Sequence, residues 1–410
     1  MCNTARFSLL ILFLLAMTRI GGADTAPADY PPGRVSISSP PYCSTISGTT
    51  PIEICAPGLT SATVMCWKQG PGFGADSIVA KVTLDDQGNG KIDFPADAYP
   101  HGPITVRIAG TNGSTVDNCY LQLYNKGGVI WNQGMPKSKP PEADGMVLVF
   151  ADDFDHPLSI SSKDPQATYA DHKPDGGDFS ALTFVSHSDP RDPFSQVDSY
   201  LRIRANQKTK SSGLISSVKP DDRGVRASIP CYFECRFIAQ SAPGTWPAFW
   251  LLSDSMAGNF KDKHLPVDEL DIMEGYGGEG PHQPTHTSDT SKACYRITTH
   301  FWNQGAEGAA QPRVHDPVYM RQLGGKSAWW ETFHTYGCKI TATDTIYYCD
   351  DVEVGHHPTG AVSRQQPFYF LINFAVGGNG WPVDLSRYNG IADMYVDYVR
   401  VYSGTAYPNK

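Results

Sequence analysis

The sequence has few charged residues and no excess of basic ones. Charged residues make up 18% of the 410 positions, and 33 lysines and arginines stand against 42 aspartates and glutamates, for a formal net charge of −9. A net negative charge disfavours nucleic acid and anionic membranes as partners. A neutral polysaccharide is compatible with this composition.

Long apolar runs are missing after the N-terminus. There, Arg6 precedes a largely apolar stretch at 7–17, and small residues at 21–23 offer a cleavage site, the pattern of a signal peptide. The stretch is shorter than the ~20 residues that cross a bilayer. We predict a signal peptide at 1–23, with a membrane anchor as the alternative. The expected location is secreted or periplasmic, with no membrane segment after signal removal.

The cysteine spacing of a zinc site is missing as well. Ten cysteines occur, but no C-x-x-C pair is among them. In an oxidising compartment we expect disulfides. If a hairpin turn is centred at Thr343 and Asp344, equal counting along its two strands places Cys338 opposite Cys349. The sequence therefore predicts a Cys338–Cys349 disulfide.

Long helical periodicity is missing too, whereas 39 glycines, 32 prolines and 20 tyrosines are typical of a turn-rich all-β protein. Seven short alternating strands predict an immunoglobulin-like β-sandwich accessory module at 30–125. This module either binds carbohydrate, through Trp67, or acts as a spacer. Glycines and prolines indicate a linker at 126–144. Short strands over 145–403 predict one large catalytic sandwich or jelly roll.

Three carboxylates stand among apolar residues in the segment 267–276. Strand alternation puts Glu269 and Asp271 on one face and Glu274 on the other. A β-bulge at 272–273 would return Glu274 to the face of the other two, and bulges are common beside active sites. The alternative is a polar strip on a solvated strand face.

With this bulge, the three carboxyl groups suit an enzymatic reaction. Glu269 and Glu274 could lean together until their carboxyl groups are about 5–6 Å apart, the separation found in retaining glycosidases. Asp271 would lie between them, where it could hydrogen-bond one glutamate and raise the proton affinity of the other by like-charge repulsion.

Further segments resemble glycoside hydrolase family 16, which includes the laminarinases. The resemblance covers 148–403, with the sequence E-L-D-I-M-E at 269–274 in its middle. The other matching segments, in order, are 149–155, 213–217, 232–237, 244–252, 298–302, 333–337, 366–373, 377–382 and 394–402. The resemblance implies a curved β-jelly roll, a concanavalin A-like sandwich, whose concave face carries a glycan cleft.

Aromatic residues beside the carboxylates fit such a cleft. Trp246 and Trp250 share a strand face with Ala248, and sugar rings stack on exposed indoles. The alternative for both tryptophans is core packing. Trp381, in a Gly/Pro loop, is expected at the cleft edge, or else as a pin within the loop. The resemblance places His300 in the cleft beside the acid/base, with a purely structural histidine as the alternative.

The resemblance also implies roles for the carboxylates. Glu269 would attack the anomeric carbon, Glu274 would act as acid and then base, and Asp271 would orient and tune Glu269. No cofactor is required for this chemistry. A structural calcium ion held by Asp397 is implied, with a surface aspartate as the alternative.

These observations predict a secreted, retaining endo-β-glycan hydrolase. Its expected substrate is a β-1,3-glucan or a mixed β-1,3/1,4-glucan, and we expect it to act as a monomer. The alternatives on the same fold are an agarase- or carrageenase-like galactan hydrolase, a transglycosylase, and a non-catalytic β-glucan-binding protein. The presence of all three carboxylates disfavours the non-catalytic alternative.

Overall fold

The computed structural model describes residues 32–68, 77–130, 134–255, 264–278, 294–324, 327–378 and 381–404. The predicted signal peptide lies outside these residues. The described chain is built almost entirely of strands, which form four sheets, together with one short α-helix, α1 (Gly305–Ala310), and a few 3-10 turns. Within these ranges, no helix has the length and hydropathy needed to cross a membrane. The all-β prediction is confirmed.

The first part of the chain forms a small two-sheet sandwich, as predicted. A three-stranded sheet has the order β1-β3-β6, and a five-stranded sheet has the order β2-β8-β7-β4-β5. Its strands are β1 (Ser36–Ser39), β2 (Thr45–Ile46), β3 (Thr49–Cys55), β4 (Ser61–Cys66), β5 (Ser77–Thr83), β6 (Asn89–Pro95), β7 (Gly102–Thr111) and β8 (Val116–Asn125). Trp67 is only 7% exposed, which argues against its use as an open platform for sugar rings.

The second part of the chain forms a larger two-sheet sandwich, the predicted jelly roll. Ten strands form one sheet, with the path β10-β13-β12-β24-β15-β20-β21-β22 and with β9 and β11 paired to β24 and β12. Six strands form the other sheet in the order β14-β23-β16-β17-β18-β19. The strands are β9 (Val147–Asp152), β10 (Thr183–Phe184), β11 (Phe194–Val197), β12 (Tyr200–Asn206), β13 (Ser211–Ser212), β14 (Leu214–Ser216), β15 (Cys231–Ala239), β16 (Thr245–Ser253), β17 (Val267–Glu274), β18 (Cys294–Trp302), β19 (His315–Tyr319), β20 (His334–Ile340), β21 (Asp344–Cys349), β22 (Val352–Pro358), β23 (Phe368–Val376) and β24 (Ile391–Ser403).

Alternation along the strands divides the side chains between the sandwich core and the outer face of the six-stranded sheet. On β16, Phe249 and Leu251 belong to the main apolar core, whereas Ala248, Trp250 and Leu252 belong to a separate cluster. Because successive strand residues point to opposite sides of a sheet, the second set lies on the face turned away from the ten-stranded sheet. That outer face carries the candidate site.

The segment between the sandwiches, predicted as a linker, is held against β24. Arg400 Nη1 donates hydrogen bonds to the carbonyl oxygens of Pro136 and Ser138, at 3.1 and 3.0 Å. Glu142 and Ala143 are buried. The described part of this segment therefore packs on the large sandwich. The domain limits 30–125, 126–144 and 145–403 stay a prediction.

The two sandwiches share a buried interface. Tyr124 of β8 packs against Tyr395, with ring centroids 5.7 Å apart, and against Tyr200 at 6.3 Å. At another point, the Arg387 guanidinium forms an ion pair with Asp117. Burial of tyrosine rings contributes more to association than a single partly exposed ion pair, so apolar contact dominates this interface.

The predicted Cys338–Cys349 disulfide is wrong, because the hairpin has a different register. Cys338 faces Tyr347, and Cys349 faces Tyr336. The turn is centred one residue earlier than predicted, since the Thr341 hydroxyl donates to the Asp344 carbonyl at 3.0 Å and accepts the Asp344 N–H at 2.8 Å. No disulfide joins any of the described cysteines.

Candidate active site

The predicted bulge in β17 is confirmed. Against β16, Phe249 faces Met273 whereas the next residue, Trp250, faces Asp271, so Ile272 is the extra residue. The pairing of β17 with β18 on its other side also shifts register between Asp271 and Glu274. The bulge reverses the alternation, and Glu274 returns to the face of Asp271.

All three carboxylates consequently line one cleft of about 420 Å³. The cleft also contains the tryptophans and the histidine expected from the sequence. Its other lining residues are Lys173, Phe179, Ala248, Tyr276, Trp302, His315 and Asn373. The structure therefore brings together every predicted catalytic and substrate-binding residue.

Glu274 is held by three side chains. Its Oε1 accepts hydrogen bonds from Trp246 Nε1 at 3.1 Å and from the Tyr276 hydroxyl at 3.0 Å. Its Oε2 contacts the Thr298 hydroxyl at 3.1 Å, and that hydroxyl lies 3.1 Å from His315 Nδ1. Burial raises the pKa of Glu274, although the hydrogen bonds oppose the rise. This carboxyl is thus fixed in position and favours the protonated form.

Glu269 lies at the more open end of the carboxylate row. Trp302 Nε1 donates a hydrogen bond to Glu269 Oε2 at 3.0 Å, and His300 Nε2 lies 3.9 Å from Oε1. Burial, followed by repulsion from Asp271, raises the pKa of Glu269 to about 8, while His300 and the Trp302 N–H act in the opposite direction. Its ionisation is therefore sensitive to both of these neighbours.

Asp271 lies on β17 between the two glutamates. It is 4% exposed, and burial together with repulsion from Glu274 raises its pKa well above the ordinary range. Its Oδ2 lies 3.4 Å from His300 Nε2. Burial and the neighbouring carboxylate therefore both disfavour the ionised form of Asp271.

An aromatic wall stands beside Glu274. Trp246 stacks on Tyr276, with centroids 5.8 Å apart and planes at 26°, and meets Trp381 edge-on at 5.0 Å. Phe179 contacts Trp246 from another side at 5.2 Å. Trp250, by contrast, is only 6% exposed, and its indole N–H donates to Asn373 Oδ1 at 2.8 Å. Trp246 and Trp381, unlike Trp250, keep partly exposed ring surface in the cleft.

Sequence reasoning missed several residues of the site. Thr298 and Trp302 could have been found, because they share strand parity with His300 and so face the cleft with it. Tyr276 comes two residues after Glu274, and closeness in sequence indicates a place in the site less strongly than shared strand parity does. Asn373 and Phe179 come from distant segments and gave no signal of their own.

Asp397, the predicted calcium ligand, is fully buried. Its carboxylate forms an ion pair with the Arg236 guanidinium and accepts the Gly134 N–H at 3.0 Å. A guanidinium against the carboxylate repels a cation, so these residues do not fit a calcium site built on Asp397. Binding of a structural calcium ion by the protein stays a prediction.

Two groups of described residues bring possible metal-ligating atoms within 4.8 Å of one another. One consists of Glu269, Asp271 and His300 in the cleft, and the other of His334, Cys349 and Asp350. In the second group, His334 Nδ1 lies 2.8 Å from Asp350 Oδ2 and its Nε2 lies 3.0 Å from the Ser327 hydroxyl. Both nitrogens of His334 therefore have hydrogen-bond partners within the protein.

A sequence profile of glycosyl hydrolases family 16 matches residues 191–400, a span that includes the entire carboxylate strand. The chain belongs to glycosyl hydrolase family 16. Its family resemblance is thus confirmed, and with it the classification as a glycoside hydrolase.

Curated relatives of this family 16 chain include two proteins of Rhizobium meliloti (strain 1021). The endo-1,3-1,4-beta-glycanase ExsH is 32% identical over 176 residues, covering 42% of this chain and 30% of the relative. The endo-1,3-1,4-beta-glycanase EglC is 27% identical over 222 residues, covering 52% and 40%. The beta-glucanase of Rhodothermus marinus is 29% identical over 187 residues, covering 42% and 56%. The chain therefore spans less than two thirds of each relative's length.

Solved structures show a more distant likeness. The catalytic domain of an endo-1,3-beta-glucanase (laminarinase) from Thermotoga petrophila RKU-1 has a TM-score of 0.46 and 20% identity, covering 63% of this chain and 97% of that domain. An endo-beta-1,3-glucanase from Pyrococcus furiosus has the same TM-score and identity, with coverage of 65% and 98%.

Proposed function

We propose that this protein is an endo-acting β-glycan hydrolase that retains anomeric configuration and cleaves β-1,3- or mixed β-1,3/1,4-glucan. The observation that carries the proposal is the bulge at Ile272. It places a row of three carboxyl groups, Glu269, Asp271 and Glu274, in one aromatic-lined cleft. Two carboxyl groups in distinct environments are what double displacement at a glycosidic bond requires.

Glu274 acts as the general acid and then as the general base. Its Oε1 already takes two hydrogen bonds, from Trp246 and Tyr276, so Oε2 is the oxygen placed to carry the proton. The Thr298 hydroxyl beside Oε2 can rotate and accept that proton's hydrogen bond when Glu274 is protonated. Burial supports the protonated state that protonation of a leaving group needs.

Glu269 acts as the nucleophile, which must be ionised at the moment of attack. The Trp302 N–H and His300 stabilise its negative charge. Repulsion from Asp271 opposes this ionisation of Glu269, and burial of Asp271 in turn disfavours the charged form of Asp271 itself. The assignment of nucleophile and acid follows the order of the family motif, because the bulged strand alone would allow either.

The scarcity of positive charge in the cleft supports a neutral glucan as the substrate. Among the described residues lining the cleft, Lys173 is the only lysine or arginine, and its ammonium lies 3.4 Å from Asp175. A sulfated galactan would place anions beside Glu269 and Glu274 with little compensation. The curated relatives are named as endo-1,3-1,4-beta-glycanases, which supports the same substrate class.

We also propose that the protein is secreted or periplasmic and acts as a monomer. The signal-peptide pattern at 1–23 supports export. A polymeric substrate too large to enter a cell is consistent with that location.

A product profile tests the function. Purified protein is incubated with laminarin, lichenan, agarose and carrageenan, with Glu274→Gln as the matched inactive control, and oligosaccharide products and their initial anomeric configuration are recorded. Cleavage of laminarin or lichenan into mixed oligosaccharides with retained configuration is expected. Cleavage of agarose or carrageenan alone would show a galactan hydrolase, new longer chains would show a transglycosylase, and binding without cleavage would show a lectin-like protein. Any of these results overturns the proposal.

A further inference from the structure

The N-terminal sandwich touches the large domain at a pair of tryptophans that precede β20. The Thr105 hydroxyl of β7 donates a hydrogen bond to the Trp330 carbonyl oxygen at 2.6 Å. The Tyr120 ring of β8 meets the Trp330 indole edge-on, with centroids 5.5 Å apart. Trp330 is 4% exposed, so this contact is part of a closed interface.

Trp330 in turn contacts Trp329, which reaches the end of the catalytic strand. The two indoles meet at 5.0 Å with planes at 89°. Trp329 is completely buried, and its Nε1 donates to the carbonyl oxygen of Cys294, the first residue of β18, at 3.1 Å. A Cβ added at Gly275 would lie 3.1 Å from the Trp329 ring, so the indole packs directly against this glycine.

Gly275 directly follows Glu274 and fixes where that residue's backbone leaves the sheet. Its N–H donates to the Pro247 carbonyl oxygen at 3.0 Å, beside Trp246, which holds the Glu274 carboxyl. Cys294 lies on the strand whose Arg296 pairs with Glu274. Trp329 therefore contacts both the residue that follows Glu274 on β17 and the first residue of β18.

We propose that Trp329 and Trp330 are positioning residues through which the N-terminal sandwich fixes the Glu274 end of β17. On this view, the N-terminal sandwich is an integral part of the catalytic unit and neither a spacer nor a tethered carbohydrate-binding module. The expected effect on catalysis rests on the proposed function. The expected effect on the backbone around Gly275 does not depend on it. Two independent measurements therefore test it.

Tyr120→Ala is the informative variant, and Tyr124→Ala is its matched control. Both tyrosines lie on β8, both are buried, and both contact the large domain. Among the described residues, however, the ring of Tyr124 contacts His101, Tyr200 and Tyr395 and not Trp330. Amide deuterium uptake of peptides covering 270–278 reports on the Glu274 end without any need for activity. Faster uptake in Tyr120→Ala, with wild-type uptake in Tyr124→Ala, is expected.

Kinetics on the glucan cleaved by the wild type give the second measurement. Tyr120→Ala should lower kcat about three- to tenfold with little change in KM, since a shift of a catalytic group well under 1 Å costs less than the ~100-fold expected for 1 Å. Trp330→Phe should recover most of the loss that Trp330→Ala causes. The double variant Tyr120→Ala/Trp330→Ala should be no slower than Trp330→Ala, because both substitutions break one path.

Three results would overturn the inference. Unchanged uptake and unchanged kcat in Tyr120→Ala would show that the sandwich does not act on the site. Equal effects of Tyr120→Ala and Tyr124→Ala would show general loosening of the interface without a path through Trp330. If the losses in kcat added up in the double variant, Tyr120 and Trp330 would act on the site independently and not along one path. If no glycan is cleaved, the proposed function fails, while the uptake measurement still decides whether the sandwich holds Gly275.

Discussion

Trp302 Nε1 donates a hydrogen bond to Glu269 Oε2 at 3.0 Å, and the same indole stacks on His300 with ring centroids 4.8 Å apart. Trp302 is 45% exposed. In the proposed mechanism this exposed indole has two purposes, since its N–H stabilises the negative charge of Glu269 and its ring offers a face to the sugar. These purposes can be separated by substitution.

Trp302→Phe is expected to lower kcat/KM at neutral pH by about tenfold or more, the typical loss when a hydrogen bond to a charged group is removed. The phenyl ring keeps a stacking surface, but without the N–H donor the pKa of Glu269 rises further. The acid limb of the pH profile of kcat/KM should therefore move to higher pH. An unmoved limb with higher KM would show that the indole serves substrate stacking alone.

The two glutamates are expected to respond differently to azide. Glu269→Ala removes the nucleophile, so azide can attack in its place and give a glycosyl azide of inverted configuration. Glu274→Ala retains the nucleophile, so an activated aryl glycoside still forms the covalent intermediate, which azide then traps with retained configuration. Both variants should lose ~10²–10⁴-fold or more on natural glucan. Exchanged stereochemistry between the two variants would exchange their roles.

Protein stability is expected to fall as the pH rises from about 4.5 towards 8. An unfolded chain releases the proton of Glu269 near 4.5, whereas in the folded protein the pKa is raised to about 8. Between these values the folded state binds more protons than the unfolded state, so increasing pH favours unfolding. Glu269→Gln removes this titration, and the free energy of unfolding, measured with urea at several pH values, should decline less steeply than in the wild type. Parallel curves would contradict the raised pKa.

Asp397→Ala is expected to destabilise the protein by ~3–5 kcal/mol, because it leaves the Arg236 guanidinium buried without its partner. The double variant Arg236→Met/Asp397→Leu is the control and should lose less, since it leaves no unpaired charge. Any effect of calcium on Tm should be the same in the wild type and in Asp397→Asn. A calcium-dependent rise in Tm that disappears in Asp397→Asn would instead make Asp397 a ligand.

Cys338 and Cys349 are expected to be thiols in the folded protein. Both are fully buried, and the hairpin register places a tyrosine opposite each of them. They should react with a thiol reagent only after unfolding, whereas Cys55, which is partly exposed, provides a control in the native state. A Cys338–Cys349 peptide in a non-reducing digest would refute the register.

Local sequence was enough to predict the carboxylate strand and its bulge. Apolar residues around Glu269, Asp271 and Glu274 require a buried strand, and only an extra residue returns all three carboxyls to one face. The same alternation, applied to β18, also places Thr298 and Trp302 on the face of His300. These features are decided within a few residues, so they can be recognised without knowledge of the fold.

The hairpin shows where local counting failed. Its register depends on the side-chain hydrogen bonds of Thr341, which shift the centre of the turn by one residue and so displace Cys338 from Cys349. Moving the centre of the turn by one residue moves the pairing by two residues, so that Cys338 faces Tyr347 and the same side chains still point to the core. Strand periodicity therefore cannot reveal the shift. The pairing of cysteines therefore could not be deduced from spacing alone.

The sequence by itself determined the fold class, the family and the carboxylate row, because each rests on residues that are close together in one strand or follow one another in order. Only the tertiary structure decided what surrounds that row. Tyr120 is buried because both faces of β8 are covered, one of them by the large domain. Asp397 likewise acquired its partner from Arg236 on another strand. Contacts between distant segments follow from how whole sheets pack, and no local pattern encodes them.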